Sequence, residues 1–105
     1  MAWLYLFSAG ILEIVWAFTM KQSDGFTRPM PTVITIVTMI GSFALLSLAM
    51  RSLPLGTAYT IWTGIGAVGA FVVGVTVLGE ALTPMRIAAA LLIVSGLVMM
   101  KLSAS

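Results

Sequence analysis

Long uncharged stretches broken by short polar clusters set the rhythm of this chain. Residues 1–20 contain one charged side chain, Glu13, before Lys21, Asp24 and Arg28 gather in the segment KQSDGFTRP. Pro29–Met50 is free of charge and ends at Arg51; Ser52–Gly79 is free of charge and ends at Glu80. After Thr83-Pro84 and Arg86, the stretch Ile87–Met100 is uncharged until Lys101. A helix needs about 20 apolar residues to cross a hydrocarbon core of about 30 Å. The pattern therefore predicts four spanning helices, over about 2–20, 32–50, 57–78 and 85–102. No segment alternates apolar and polar positions over the length of a membrane strand, which excludes a barrel.

Turn signals agree with these bounds. Asp24-Gly25 marks a turn, Pro29 and Pro31 flank the start of the second helix, and Pro54 and Gly56 mark the connection into the third. Thr83-Pro84 offers a capping hydroxyl followed by a proline at the first helical position, where the missing N–H costs nothing. Connections this short make consecutive helices antiparallel neighbours.

Composition narrows the class further. Of 105 residues, 61% are apolar and 8% charged, too few charges to coat a water-soluble surface. There is no Cys and no His, which removes disulfides, thiol nucleophiles, imidazole or thiolate metal sites and the usual neutral-pH general base. The acids Glu13, Asp24 and Glu80 are too scattered for a carboxylate-bridged metal, and five separated Lys/Arg residues make no nucleic-acid footprint. The expected class is an all-α integral membrane protein forming one membrane domain over 1–105, without cofactor, metal or enzymatic constellation. The first helix has no basic leader and carries a central carboxylate, so it is expected to remain in the mature protein.

With four spans, Arg51 and Lys101 share one side of the membrane, and Lys21, Arg28 and Arg86 the other. That balance gives almost no positive-inside bias. Either one orientation wins by other means, or both insert and pair. Small size favours the second, because inverted-repeat transporters place their binding site between two halves of opposite orientation. An antiparallel, dual-topology homodimer would reach that symmetry with one chain used twice.

Glu13 is the expensive residue. A mid-span acid costs a few kcal/mol on insertion and normally faces a bundle interior or an aqueous cavity. No Lys, Arg or His accompanies it in the spans, so it is either protonated or paired with a cation from outside. Those two states in competition constitute a proton-coupled antiport cycle, with two copies of Glu13 facing one cavity in a dimer. The alternative is a protonated carboxyl bonded to a neighbouring helix. Ala9, Gly10, Trp16 and Ala17 share the Glu13 face, and Tyr59, Trp62, Thr63 and Gly66 form a face of the third helix. Trp16, Tyr59 and Trp62 offer hydrogen bonds or cation–π contact, or else serve as interfacial aromatics. Ser42 is a mid-span hydroxyl that either bonds the carboxylate or a helix backbone.

Gly64-Ile-Gly-Ala-Val-Gly69 matches G-x-G-x-x-G but sits inside an uncharged span, not between a strand and a helix start. Gly64, Gly66 and Gly69 are instead expected to permit close helix approach and a bend. In the fourth helix, Ala89 and Gly96 lie on a small-residue stripe. The first three helices are expected to form the binding chamber and the fourth the dimer contact, ordinary packing within the bundle being the alternative.

These residues resemble the small multidrug resistance transporters. The likeness runs over the whole chain and rests on GILEIVWAFTMK, which holds Glu13 and Trp16, on SDGFTR, and on LPLGTAYTIWTGIGAVGA at 53–70. Gly10, Trp16, Ser42, the GTAYxIWTGIG run and Lys101 together are similar to the guanidinium-exporter subgroup. The resemblance implies a bacterial inner-membrane antiparallel homodimer exchanging guanidinium-type cations for protons. It implies Glu13 as the shared substrate and proton site, Ser42 and Trp16 as groups that bond or orient that carboxylate, and Tyr59 and Trp62 as lining. A planar guanidinium pairs with a carboxylate through two parallel bonds, which suits this chemistry.

Thr60 and Gly41 depart from the subgroup pattern, at positions where side-portal width or packing would change. They leave room for substituted guanidiniums or quaternary ammoniums, the cargo of a broader cationic-drug exporter. A proteolipid-like subunit or a non-transporting assembly subunit is a further alternative; four spans and aromatics beside Glu13 argue against the first, and the second would leave Glu13 unexplained.

Overall fold

The computed structural model describes residues 1–103 and contains four helices joined by short loops. Helix α1 spans Ala2–Gln22, α2 Pro29–Ala49, α3 Leu55–Thr76 and α4 Pro84–Ser103. At a rise of about 1.5 Å per residue each is about 30 Å long, the thickness of the hydrocarbon core. All four are long and apolar enough to cross a membrane.

The helix starts differ from the sequence expectation for a physical reason. Pro29 and Pro31, expected to flank α2, lie within its first turn, with the extended Arg28 as N-cap. First-turn N–H groups have no intrahelical acceptor, so proline loses nothing there. In the same way Pro54 caps α3 and Gly56 lies inside its first turn. Helix α3 stops at Thr76, short of the expected end, where the chain folds back: Glu80 N–H donates to Gly74 O at 2.9 Å, and Gly79 makes the reversal at φ +71°. The expected cap of α4 is formed, with Arg86 N–H donating to Thr83 Oγ1 at 3.2 Å.

Helix α1 packs against both α2 and α3; α2 and α3 barely meet, and α4 packs its backbone against α3, reaching α1 only through Lys101, whose Nζ lies 5.0 Å from the Trp3 ring centroid. The result is an open slab of 42 × 35 × 16 Å, not a closed four-helix bundle. Its buried apolar side chains are Leu6, Ala9, Leu46, Ala49, Ala58, Ile61 and Trp62. All come from the start of α1, the end of α2 and the start of α3, so the core sits at the end holding the 50–54 loop. Toward the Lys21 end, the buried side chains among the described residues are the hydroxyls Ser23 and Thr35. Glu13 stands between the tightly packed half and the looser one. Among the described residues, α4 has no buried residue.

Candidate functional site

Backbone space is what admits Glu13. Gly66 faces it from α3, and a Cβ at position 66 would collide with the Glu13 carboxyl group. Among the described residues, two side-chain polar atoms are buried without a hydrogen-bond partner, Glu13 Oε1 and Trp16 Nε1. A buried, unpaired polar atom is costly and marks a place where function outweighs packing. Among the described residues every Lys and Arg lies at a helix end or in a loop, and none pairs with Glu13. The carboxyl thus has an oxygen ready for a proton or an external cation.

Ser42 joins three helices through hydrogen bonds that do not include the carboxylate. Its Oγ donates to Ala9 O at 2.6 Å and accepts from Trp62 Nε1 at 3.0 Å. The single hydroxyl proton is committed to Ala9 O, so of the two bonds open to Ser42, to the carboxylate or to a helix backbone, the structure forms the second, to the α1 backbone one turn from Glu13. Trp16 makes no hydrogen bond to Glu13 either; its ring meets Phe43 edge-on at 6.4 Å between centroids. Phe43 meets Trp62 at 5.7 Å, and Trp62 meets Tyr59 at 5.6 Å. Four rings from three helices therefore form a continuous aromatic run, of the kind that stacks on a planar cation. Phe43 escapes a sequence reading because it follows Ser42 by one position, about 100° around the helix, and an isolated Phe in an uncharged span reads as lipid-facing.

The other expected site residues disperse along the helix seams. Gly10 faces Ile65 in the α1–α3 seam, and Gly69 faces Ile14 there. Gly64 accommodates Leu97 of α4. Gly64, Gly66 and Gly69 thus serve as notches for side chains of neighbouring helices, in an α3 that runs unbroken from Leu55 to Thr76. Gly41 lies against α2's neighbour, where a Cβ would come within 3.3 Å of Leu12 Cδ1. Tyr59, Thr60 and Thr63 line an open groove of about 520 Å³ between α3 and α4, together with Gly64 and Gly96. Thr63 is therefore separated from the Ser42 node. Ala89 and Gly96 are exposed on α4, and a Cβ at Gly96 would meet nothing. No group of three or more Asp, Glu, His or Cys that could hold a metal occurs among the described residues.

A model of the Small Multidrug Resistance protein family matches residues 1–94. The chain belongs to this family. It is 55% identical over 103 residues to the guanidinium exporter of Escherichia coli strain K12, covering 98% of each chain. It is 54% identical to the guanidinium exporters of Citrobacter freundii and Salmonella typhimurium, again over 103 residues and 98% of each chain. Small multidrug resistance membership and four spanning helices make it a multi-pass bacterial inner-membrane protein.

Proposed function

We propose that this small multidrug resistance protein is a proton-coupled antiporter that exports guanidinium or substituted guanidinium cations. The observation that carries the reading is the Glu13 carboxyl, half-buried against Gly66 with Oε1 unpartnered and no cationic side chain to neutralise it. The proton and a guanidinium are then rivals for one site. A guanidinium offers two parallel N–H donors to the carboxylate and a flat face to the rings of Trp16, Phe43, Trp62 and Tyr59. High identity to proteins named guanidinium exporters supports that cargo.

The transport unit is an antiparallel homodimer. One chain is an open slab with α4 packed mainly on α3, and it cannot by itself enclose a cation. Helices α1–α3 supply the chamber, with Glu13 from both subunits, and α4 supplies the contact through the stripe holding Ala89 and Gly96. Near-level Lys/Arg counts on the two sides allow each chain to insert either way. The Gly64, Gly66 and Gly69 notches let α3 shift past α1 and α4 as the dimer changes the side to which it opens.

The test is uptake into proteoliposomes driven by a pH gradient, with guanidinium, a substituted guanidinium and tetraethylammonium offered separately. Uptake of the guanidiniums but not tetraethylammonium is the expected result. Comparable uptake of tetraethylammonium would establish the broader cationic-drug reading, for which Thr60 in the α3–α4 groove is the first residue to examine. No uptake of any cation would refute antiport and leave a non-transporting assembly.

A further inference from the structure

Among the described residues, the looser half of the molecule contains one part-buried side-chain hydrogen bond between helices, and it belongs to no part of the site just described. Thr35 of α2 is fully buried, and its Oγ1 lies 2.7 Å from Oγ1 of Thr19 on α1. Thr35 Oγ1 is also 2.8 Å from Pro31 O, and Thr19 Oγ1 is 3.1 Å from Val15 O and 3.3 Å from Trp16 O. Each hydroxyl has one proton, so the pair bonds in either of two senses: Thr35 to Thr19 to the α1 backbone, or Thr19 to Thr35 to Pro31 O. Neither sense leaves a donor unpaired.

Two hydroxyl bonds therefore tie α1 to α2, one on each side of Glu13. The Ser42–Ala9 bond lies one turn before the carboxylate and the Thr19–Thr35 bond lies beyond it. Ser42 and Thr35 are seven positions apart and share a face of α2. Between α1 and α3 the seam beyond Glu13 depends on glycine notches, Gly66 for the carboxyl and Gly69 for Ile14, with no side-chain hydrogen bond between the two helices along it among the described residues. The α1–α2 seam is thus pinned where the apolar core is missing, and the α1–α3 seam is not.

We propose that Thr19 and Thr35 are a positioning pair: they hold α1 and α2 as one body, setting the rotation of α1 that aims Glu13 at Gly66. The pair acts on the cation through Glu13, so the inference rests on Glu13 being the cation site. Removing one hydroxyl leaves the other able to bond its own helix backbone, so a valine substitution leaves no donor stranded and the chain folds. What changes is the aim of the carboxylate.

The experiment compares guanidinium exchange by wild type, Thr35→Val, Thr19→Val, the double variant, Thr35→Ser and Glu13→Gln in proteoliposomes. Thr35→Val should raise the half-saturating guanidinium concentration about two- to tenfold, the affinity equivalent of one net hydrogen bond. The double variant should be no worse than either single one, and Thr35→Ser should restore the wild-type value. A merely structural role would lower the maximal rate through loss of folded protein and leave the half-saturating concentration unchanged. An unchanged value in both valine variants would overturn the proposal, as would a serine variant as impaired as valine. If Thr35→Val fails to fold, Thr19→Val, at the half-buried partner, decides the question by the same values. Activity in Glu13→Gln would instead overturn the function on which the inference rests.

Discussion

At the scale of single residues, the site is defined by space and proton ownership more than by bonds. Gly66 is the residue that lets Glu13 face α3, so Gly66→Ala should abolish guanidinium binding while the chain still inserts. Isothermal titration of purified protein checks this, and wild-type affinity in the variant would remove the notch from the account. Ser42→Ala strands the buried Trp62 Nε1, at a cost of about 1–3 kcal/mol. A lowered unfolding temperature with Glu13 still titrating in competition with guanidinium is the expected result, because the Ser42 hydrogen bonds do not include the carboxylate. Glu13 itself was legible in the sequence, since a lone mid-span acid without a basic partner has few explanations. The partners of Ser42, Trp16 and Phe43 were not. A 3.6-residue period assigns side chains to a face of their own helix, and it carries no information on which neighbouring helix that face meets.

At the scale of elements, seven of the eight charged residues were enough to delimit four helices, because a charge inside hydrocarbon is costly and the helices end where charges begin. The helix starts at Pro29 and Leu55 were placed late by sequence, since prolines that read as boundary markers are tolerated inside a first turn. Seam assignment was harder, because helices apolar on all sides give no stripe that points to a core. Helix α4 illustrates the consequence. It packs chiefly against α3, with Leu97 in the Gly64 notch, touches α1 where Lys101 lies over the Trp3 ring, and exposes Gly96 with open space where a Cβ would stand. Gly96→Leu should leave the single-chain fold intact and weaken self-association, read as a shift toward monomer by light scattering in detergent. A dimer of unchanged stability would place the contact on another face. Gly64→Ile should be worse for folding than Gly96→Leu, because it displaces Leu97 and loosens the main seam that holds α4.

At the scale of the whole molecule, the chain is an unfinished object. Its buried apolar side chains lie at one end, its slab is open, and a carboxyl oxygen is buried without a partner in the middle. In the proposed transport unit an antiparallel second copy would complete it without any new sequence, and the near-level distribution of Lys and Arg would permit both orientations. Adding two Lys residues to the 23–28 loop should force one orientation, and adding them to the 50–54 loop the other. Each variant alone should fail to protect cells from guanidinium, and co-expression should restore protection. Full protection by each variant alone would contradict dual topology.

The central claim is that one carboxylate is shared by guanidinium and protons on opposite halves of a cycle. Purified protein in liposomes with a guanidinium gradient and no initial pH gradient tests it most directly, with internal pH as the readout. The account predicts proton movement opposite to guanidinium, enough to build a pH gradient from none, and no such movement with Glu13→Gln. Guanidinium movement with no proton movement, or coupled exchange by Glu13→Gln equal to wild type, would contradict it.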